Sequence, residues 1–97
     1  SVTVDVGIYQ RKRDFLHNAL IEMGYEVVRP QGAFYMFPKS PIENDVQFVD
    51  ELKEQKVLAV PGRGFGLPGY FRLSYCMEDR TIEGALTGLQ HALSKYL

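Results

Sequence analysis

The chain is poor in several things that decide protein class. It has one cysteine, Cys76. An internal disulfide framework and a cysteine-rich zinc site are therefore excluded, and a reducing, cytoplasmic setting is the expectation. It has no apolar run of the roughly 18 residues that a membrane-spanning helix needs. It has no excess of either charge: 11 Lys plus Arg stand against 12 Asp plus Glu, a net charge of −1. Without a concentrated basic block, nucleic acid is not an expected partner. The opening SVTVDVGIYQRKR lacks the basic-then-apolar order of a signal peptide. It begins at Ser1 rather than Met, so a piece cut from a longer protein, or a tag remnant at the N-terminus, is the expectation.

What is present suits one globular domain of 97 residues, 45% hydrophobic and 24% charged. A chain of this size buries roughly 60% of its unfolded surface, enough for one modest core. No repeat, low-complexity tract or internal linker interrupts it, so 1–97 is expected to be a single domain.

Residues 4–23 are predicted helical. Ile8, Phe15, Leu16, Ala19, Leu20 and Met23 recur at spacings of three, four and seven, and Gly24 supplies a C-terminal cap. Tyr25–Val28 is predicted as a strand, Pro30-Gln31-Gly32 as a turn, and Ala33–Phe37 as a second strand buried on both faces and paired with the first as a hairpin. Asn44 or Asp45 caps a second helix through about Lys56, with Val46, Val49, Leu52 and Phe48 inward. Val57–Val60 is a short apolar strand, 61–69 a loop dense in Gly and Pro, and Tyr70–Cys76 an alternating strand. Asp79 caps a last helix lined by Ile82, Leu86, Leu89, Leu93 and Tyr96, with Ala85, Ala92 and Leu97 beside them. The order αββαββα predicts an α+β fold: a mostly antiparallel sheet of about four short strands covered by helices.

Most apparent motifs have ordinary readings. Gly64-Phe65-Gly66-Leu67-Pro68-Gly69 satisfies G-x-G-x-x-G after a strand, but a dinucleotide site needs a helix opening at the loop, and the alternating YFRLSYC follows instead. Ser94-Lys95 has the form of a Schiff-base lysine dipeptide, but nothing nearby desolvates the ammonium. His17 and His91 have no metal-ligand spacing, and Cys76 reads as a small buried apolar residue. Arg11, Lys12 and Arg13 read as a solvated helix face. Arg72 is different. It stands mid-strand between Phe71 and Leu73, where an arginine costs desolvation unless an anion pairs with it. Its fork suits a carboxylate. An exposed strand face, an internal Asp or Glu, and a ligand carboxylate are the three readings that local sequence leaves open.

Four blocks then carry a resemblance: YQRKRDFLHNAL at 9–20, PQGAFYMFP at 30–38, VLAVPGRGFG at 57–66 and GYFRLSYC at 69–76. In this order and at these separations they resemble the C-terminal small domain of the fold-type I pyridoxal-phosphate aminotransferases of class I/II, which resemble aspartate aminotransferase. The resemblance implies a larger cofactor-binding domain, a substrate cleft between the two domains, and a homodimeric parent that uses an amino acid and a 2-oxo acid. It implies that Arg72 grips the substrate α-carboxylate and that Phe34 lines the pocket beside it. The 61–66 loop would approach the cleft. Arg63-Gly64 departs from the small residue pair often found in that loop; Arg63 is a surface residue or a second contact for an acidic side chain. No lysine here stands in the family's cofactor-binding setting, so pyridoxal phosphate is expected in the full-length parent only. The 97 residues alone are expected not to transaminate, and to expose an apolar patch that favours self-association. Two alternatives stand beside this reading: a related carbon–sulfur lyase or decarboxylating enzyme, and a free-standing α+β interaction module.

Overall fold

The computed structural model describes residues 6–28 and 34–97. The predicted turn at 30–32 lies outside the described residues. The elements are α1 (Val6–Met23), β1 (Val27–Val28), β2 (Tyr35–Pro38), α2 (Asp45–Glu54), β3 (Val60–Pro61), β4 (Phe71–Ser74) and α3 (Asp79–Ser94). The fold is α+β, with one four-stranded sheet in the order β1-β2-β4-β3. Every pairing is antiparallel. Val27 faces Pro38, Met36 faces Leu73, and Val60 faces Arg72.

Alternation sorts the two central strands into two faces. Met36, Pro38, Phe71 and Leu73 are buried. They join Leu16 and Leu20 of α1, Phe48 and Leu52 of α2, and Ile82, Leu89 and Leu93 of α3 in one core. Tyr25 is sealed into that core; its hydroxyl donates to the Leu89 carbonyl at 2.6 Å, and burial pushes its phenol well above the ordinary value. Gly88 lets α3 close on the end of α2, because a Cβ there would stand 2.6 Å from Val57 and 2.9 Å from the Gln55 carbonyl. The opposite sheet face carries Tyr35, Phe37, Arg72 and Ser74.

Two strands start later than predicted, for one reason. Both preceding helices end in the same six-to-one cap. The Tyr25 N–H returns to the Leu20 carbonyl at 3.0 Å, past Gly24 at φ +111°. The Val57 N–H returns to the Leu52 carbonyl at 2.9 Å, past Lys56 at φ +63°. Amides spent on a helix end are unavailable to a ladder, so Tyr25 and Val57 are buried but not paired. The second strand is not buried on both faces: Tyr35 is 42% exposed. On α1 only part of the predicted stripe turns inward, leaving Phe15 at 54% and Ile8 at 42% exposure. Val46 and Leu97 are also exposed, and Cys76, expected to be buried, is a free exposed thiol. The N-cap of α2 is Asn44, whose side chain accepts from the Gln47 amide; that of α3 is Glu78, with Asp79 in the first turn. Among the described residues no helix is long and apolar enough to cross a membrane.

Candidate functional site

Arg72 lies half-buried on the open face of β4, at the middle of the sheet. Its guanidinium carbon sits 4.3 Å from the ring centroid of Tyr35 and 4.4 Å from that of Phe65. Two π faces therefore hold the flat cation, each worth about 0.5–1 kcal/mol at such exposed rings. No ion pair joins it to a carboxylate among the described residues. Of the three readings left open by sequence, the internal acid is thus not what the described residues provide. Contacts to ring faces consume none of its N–H donors, so the guanidinium keeps the fork from which a carboxylate accepts two parallel bonds.

The aromatic neighbours come from separate elements. Tyr35 opens β2, opposite Ser74 of β4. Phe65 ends the 3-10 turn Gly62–Phe65, and its ring also meets Phe37 edge-on at 6.3 Å. That turn is tightly built. The Gly62 N–H donates to Tyr70 O at 2.7 Å, and Leu67 N–H donates back to Gly62 O at 2.9 Å. A Cβ on Gly62 would stand 2.3 Å from the Leu67 carbonyl oxygen, so only glycine fits.

Asp45 anchors the same turn from the other side. Its carboxylate is 0% exposed. It accepts from the Arg63 amide at 2.9 Å, from Arg63 Nε, and from the Val46 amide at 3.0 Å. Burial alone would raise its pKa, but the Arg63 amide and guanidinium outweigh that and hold it below the ordinary carboxylate value. Arg63 is therefore tied to an acid of its own chain.

Phe34 stands next to Tyr35. It holds φ +77°, unusual for a bulky residue, while its carbonyl accepts from the Tyr75 amide at 3.0 Å. Its ring meets Tyr9 of α1 edge-on at 5.4 Å. Tyr9 in turn lies beside Cys76, which raises its phenol above the ordinary value. The structure thus brings Tyr35 and Phe65 onto Arg72, and Phe34 onto Tyr9. Sequence reading missed Tyr35, Phe65 and Asp45. The first could have been found from the alternation of β2 against β4; the other two depend on long-range placement.

The remaining candidates are structural. Residues 66–70 lead into a strand, not a helix, so the glycine motif presents no helix N-terminus to a pyrophosphate. Lys95 pairs with Glu51 at 2.7 Å, and that carboxylate raises its pKa, the reverse of what a nucleophilic amine requires. Lys39 pairs with Glu26 at 3.7 Å, Lys12 donates to the Met77 carbonyl, and Lys53 and Lys56 are exposed. Each of these amines is ion-paired, hydrogen-bonded or exposed, so these residues do not fit a Schiff-base cofactor. Among the described residues no cluster of His, Cys, Asp or Glu could hold a metal ion.

The described residues thus form an α+β domain whose central strand presents an arginine joined to no described carboxylate. More particularly, this chain belongs to the family Aminotransferase class I and II, which matches residues 1–89. It is 42% identical over 84 residues to the probable aspartate/prephenate aminotransferase of Aquifex aeolicus, covering 78% of this chain and 21% of that one. The amino transferase of Eubacterium rectale superposes with a TM-score of 0.90 at 37% identity, covering 97% of this chain and 24% of that one. The aspartate aminotransferase of Thermus thermophilus with maleate superposes with a TM-score of 0.82 at 34% identity, covering 88% and 23%. The chain thus spans about a quarter of the length of these relatives.

Proposed function

We propose that this chain is the small, C-terminal, substrate-carboxylate-binding domain of a fold-type I pyridoxal-phosphate aminotransferase. The full-length protein then moves an amino group between an amino acid and a 2-oxo acid. Arg72 receives the substrate α-carboxylate on its in-plane N–H edge, and Phe34 lines the pocket next to Tyr35. Held at one end by two parallel bonds, the substrate loses rotational freedom before reaction, which lowers the barrier. Pyridoxal phosphate is held by residues outside these 97, since none of the lysines here suits it. The same applies to the acid–base step, so the isolated chain does not transaminate. The parent is a homodimer of two such polypeptides.

The observation that carries this reading is the guanidinium of Arg72, lying over two aromatic rings and joined to no carboxylate among the described residues. Two features support it further. The unusual backbone at Phe34 lies one residue from Tyr35, and such strain collects at functional sites. The maleate of the Thermus relative is a dicarboxylate, the ligand chemistry that an arginine fork recognises. Arg72→Lys in the full-length protein is the test. The charge survives and the fork does not, so amino-acid turnover should fall steeply while the unfolding midpoint stays in place. Unchanged kcat/KM would overturn the assignment.

A further inference from the structure

Arg72 is carried by β4, and the 3-10 turn Gly62–Phe65 reaches its guanidinium with the ring of Phe65. Its position along the sheet is set by β3 and β4, where it faces Val60. One of its two π faces is not supplied by the sheet at all. Phe65 belongs to the 3-10 turn, is 46% exposed, and among the described residues meets one ring, that of Phe37, besides the Arg72 guanidinium. The side chain is only about half buried, so its place over the cation depends also on the backbone that carries it.

That backbone is fastened at Arg63, two residues earlier, by the buried carboxylate of Asp45. The fastening is double: one oxygen takes the Arg63 amide, the other the Arg63 guanidinium and the Val46 amide. Asp45 opens α2, and α2 is fixed to the core through Phe48 and Leu52. A rigid path therefore runs from the core through α2, Asp45 and Arg63 to Phe65, and ends on the guanidinium of Arg72.

We infer that Asp45 is a positioning residue for substrate binding: by clamping Arg63 it holds Phe65 over Arg72 and so fixes the plane in which the arginine meets a carboxylate. This rests on the proposed role of Arg72. Arg63, which departs from the small residue often found in this loop of the family, is the second half of the clamp rather than a second contact for substrate. The clamp acts on the orientation of a binding group, so it changes how well substrate is held more than how fast bound substrate reacts.

The experiment uses the full-length protein that contains this chain, with aspartate and 2-oxoglutarate as the assay pair and maleate as a binding probe. Phe65→Leu removes the π face directly. It should raise KM and weaken maleate binding about threefold to tenfold, with kcat nearly unchanged. Asp45→Asn should do the same through the loop. The double variant should be no worse than Phe65→Leu alone, because both changes break one path. Arg63→Met, which leaves the Asp45 carboxylate and its backbone contacts in place, gives the same readout should Asp45→Asn fold poorly. A lowered unfolding midpoint with unchanged KM and maleate affinity would make Asp45 a stabilising residue only and overturn the inference. So would effects of Asp45→Asn and Phe65→Leu that multiply. Arg72→Lys is run alongside: if it binds maleate and turns over normally, the underlying reading fails, whatever the other variants do.

Discussion

Two arginines close in sequence have opposite fates in this molecule. Arg63 has an acid of its own chain, Asp45, fully buried and meeting both its backbone and its side chain. Arg72 has two aromatic rings and no ion pair with a described carboxylate. The first arrangement is closed: the buried Asp45 charge meets its opposite within the chain, although the Arg63 side chain still reaches solvent. The second is open: the cation lies over two rings, which take none of its hydrogen-bond donors. Cation–π stacking compensates part of the desolvation of a guanidinium without consuming its donors. A protein that must keep an arginine ready for an outside anion can therefore hold it with rings rather than with acids.

The comparison breaks most sharply on function. Arg72→Lys should lower kcat/KM of the full-length protein by about 100-fold or more, since the bidentate, charge-assisted contact is lost. Arg63→Lys should leave kcat largely intact. Steady-state kinetics of both variants decide this, and equal losses would dissolve the distinction. On stability the order reverses. Asp45→Ala should cost about 2–3 kcal/mol in urea unfolding. That is less than a wholly buried pair would lose, because the orphaned Arg63 side chain reaches solvent, whereas Arg72→Lys should cost little.

Gly62→Ala should cost about 2 kcal/mol, since its Cβ collides with backbone oxygens rather than with a side chain that can swing away. It should disturb both arginines together, read as a lower unfolding midpoint and a weaker maleate affinity in one variant. The smallest effect is in pH. Asp45 is held below its ordinary value, so its contribution is fully present above about pH 4 and is lost as pH falls through the depressed value. Glu51 shifts in the same direction, chiefly through its bonds to Lys95 and Tyr96. Asp45→Asn should therefore flatten the fall in unfolding midpoint below about pH 4 without abolishing it. An acid limb as steep as that of the unaltered protein would remove Asp45 from the explanation.

The element order and the antiparallel sheet were legible because they depend on local pattern: alternation through FRLS and punctuation by Gly24 and the Pro-rich loop; one charge inside an apolar strand singled out Arg72 but left its partner open. Strand starts were not legible. Tyr25 and Val57 have strand-forming side chains, but their amides are claimed by helix ends, a choice made by backbone geometry. Lys56 gives no glycine signal for its left-handed conformation. The inward sets of α1 and α2 were only half read, because Phe15 and Val46 have helical spacing but face away from the core. Of the site, Arg72 could be read and its setting could not. Tyr35, Phe65 and Asp45 reach it through β2, a turn and a helix start, and no spacing rule joins three such places.

The strand order has a consequence for how this protein comes into being. β4 lies between β2 and β3, so the arginine strand must insert between partners from two different stretches of chain. Until both edges zip, neither ring has a cation to flank and the cation has no ring. Distant pairings of this kind close slowly, because the entropy of the intervening loop is lost before any contact repays it. During synthesis the aromatic setting of Arg72 would therefore be among the last features to mature, well after α1 and the first hairpin have emerged.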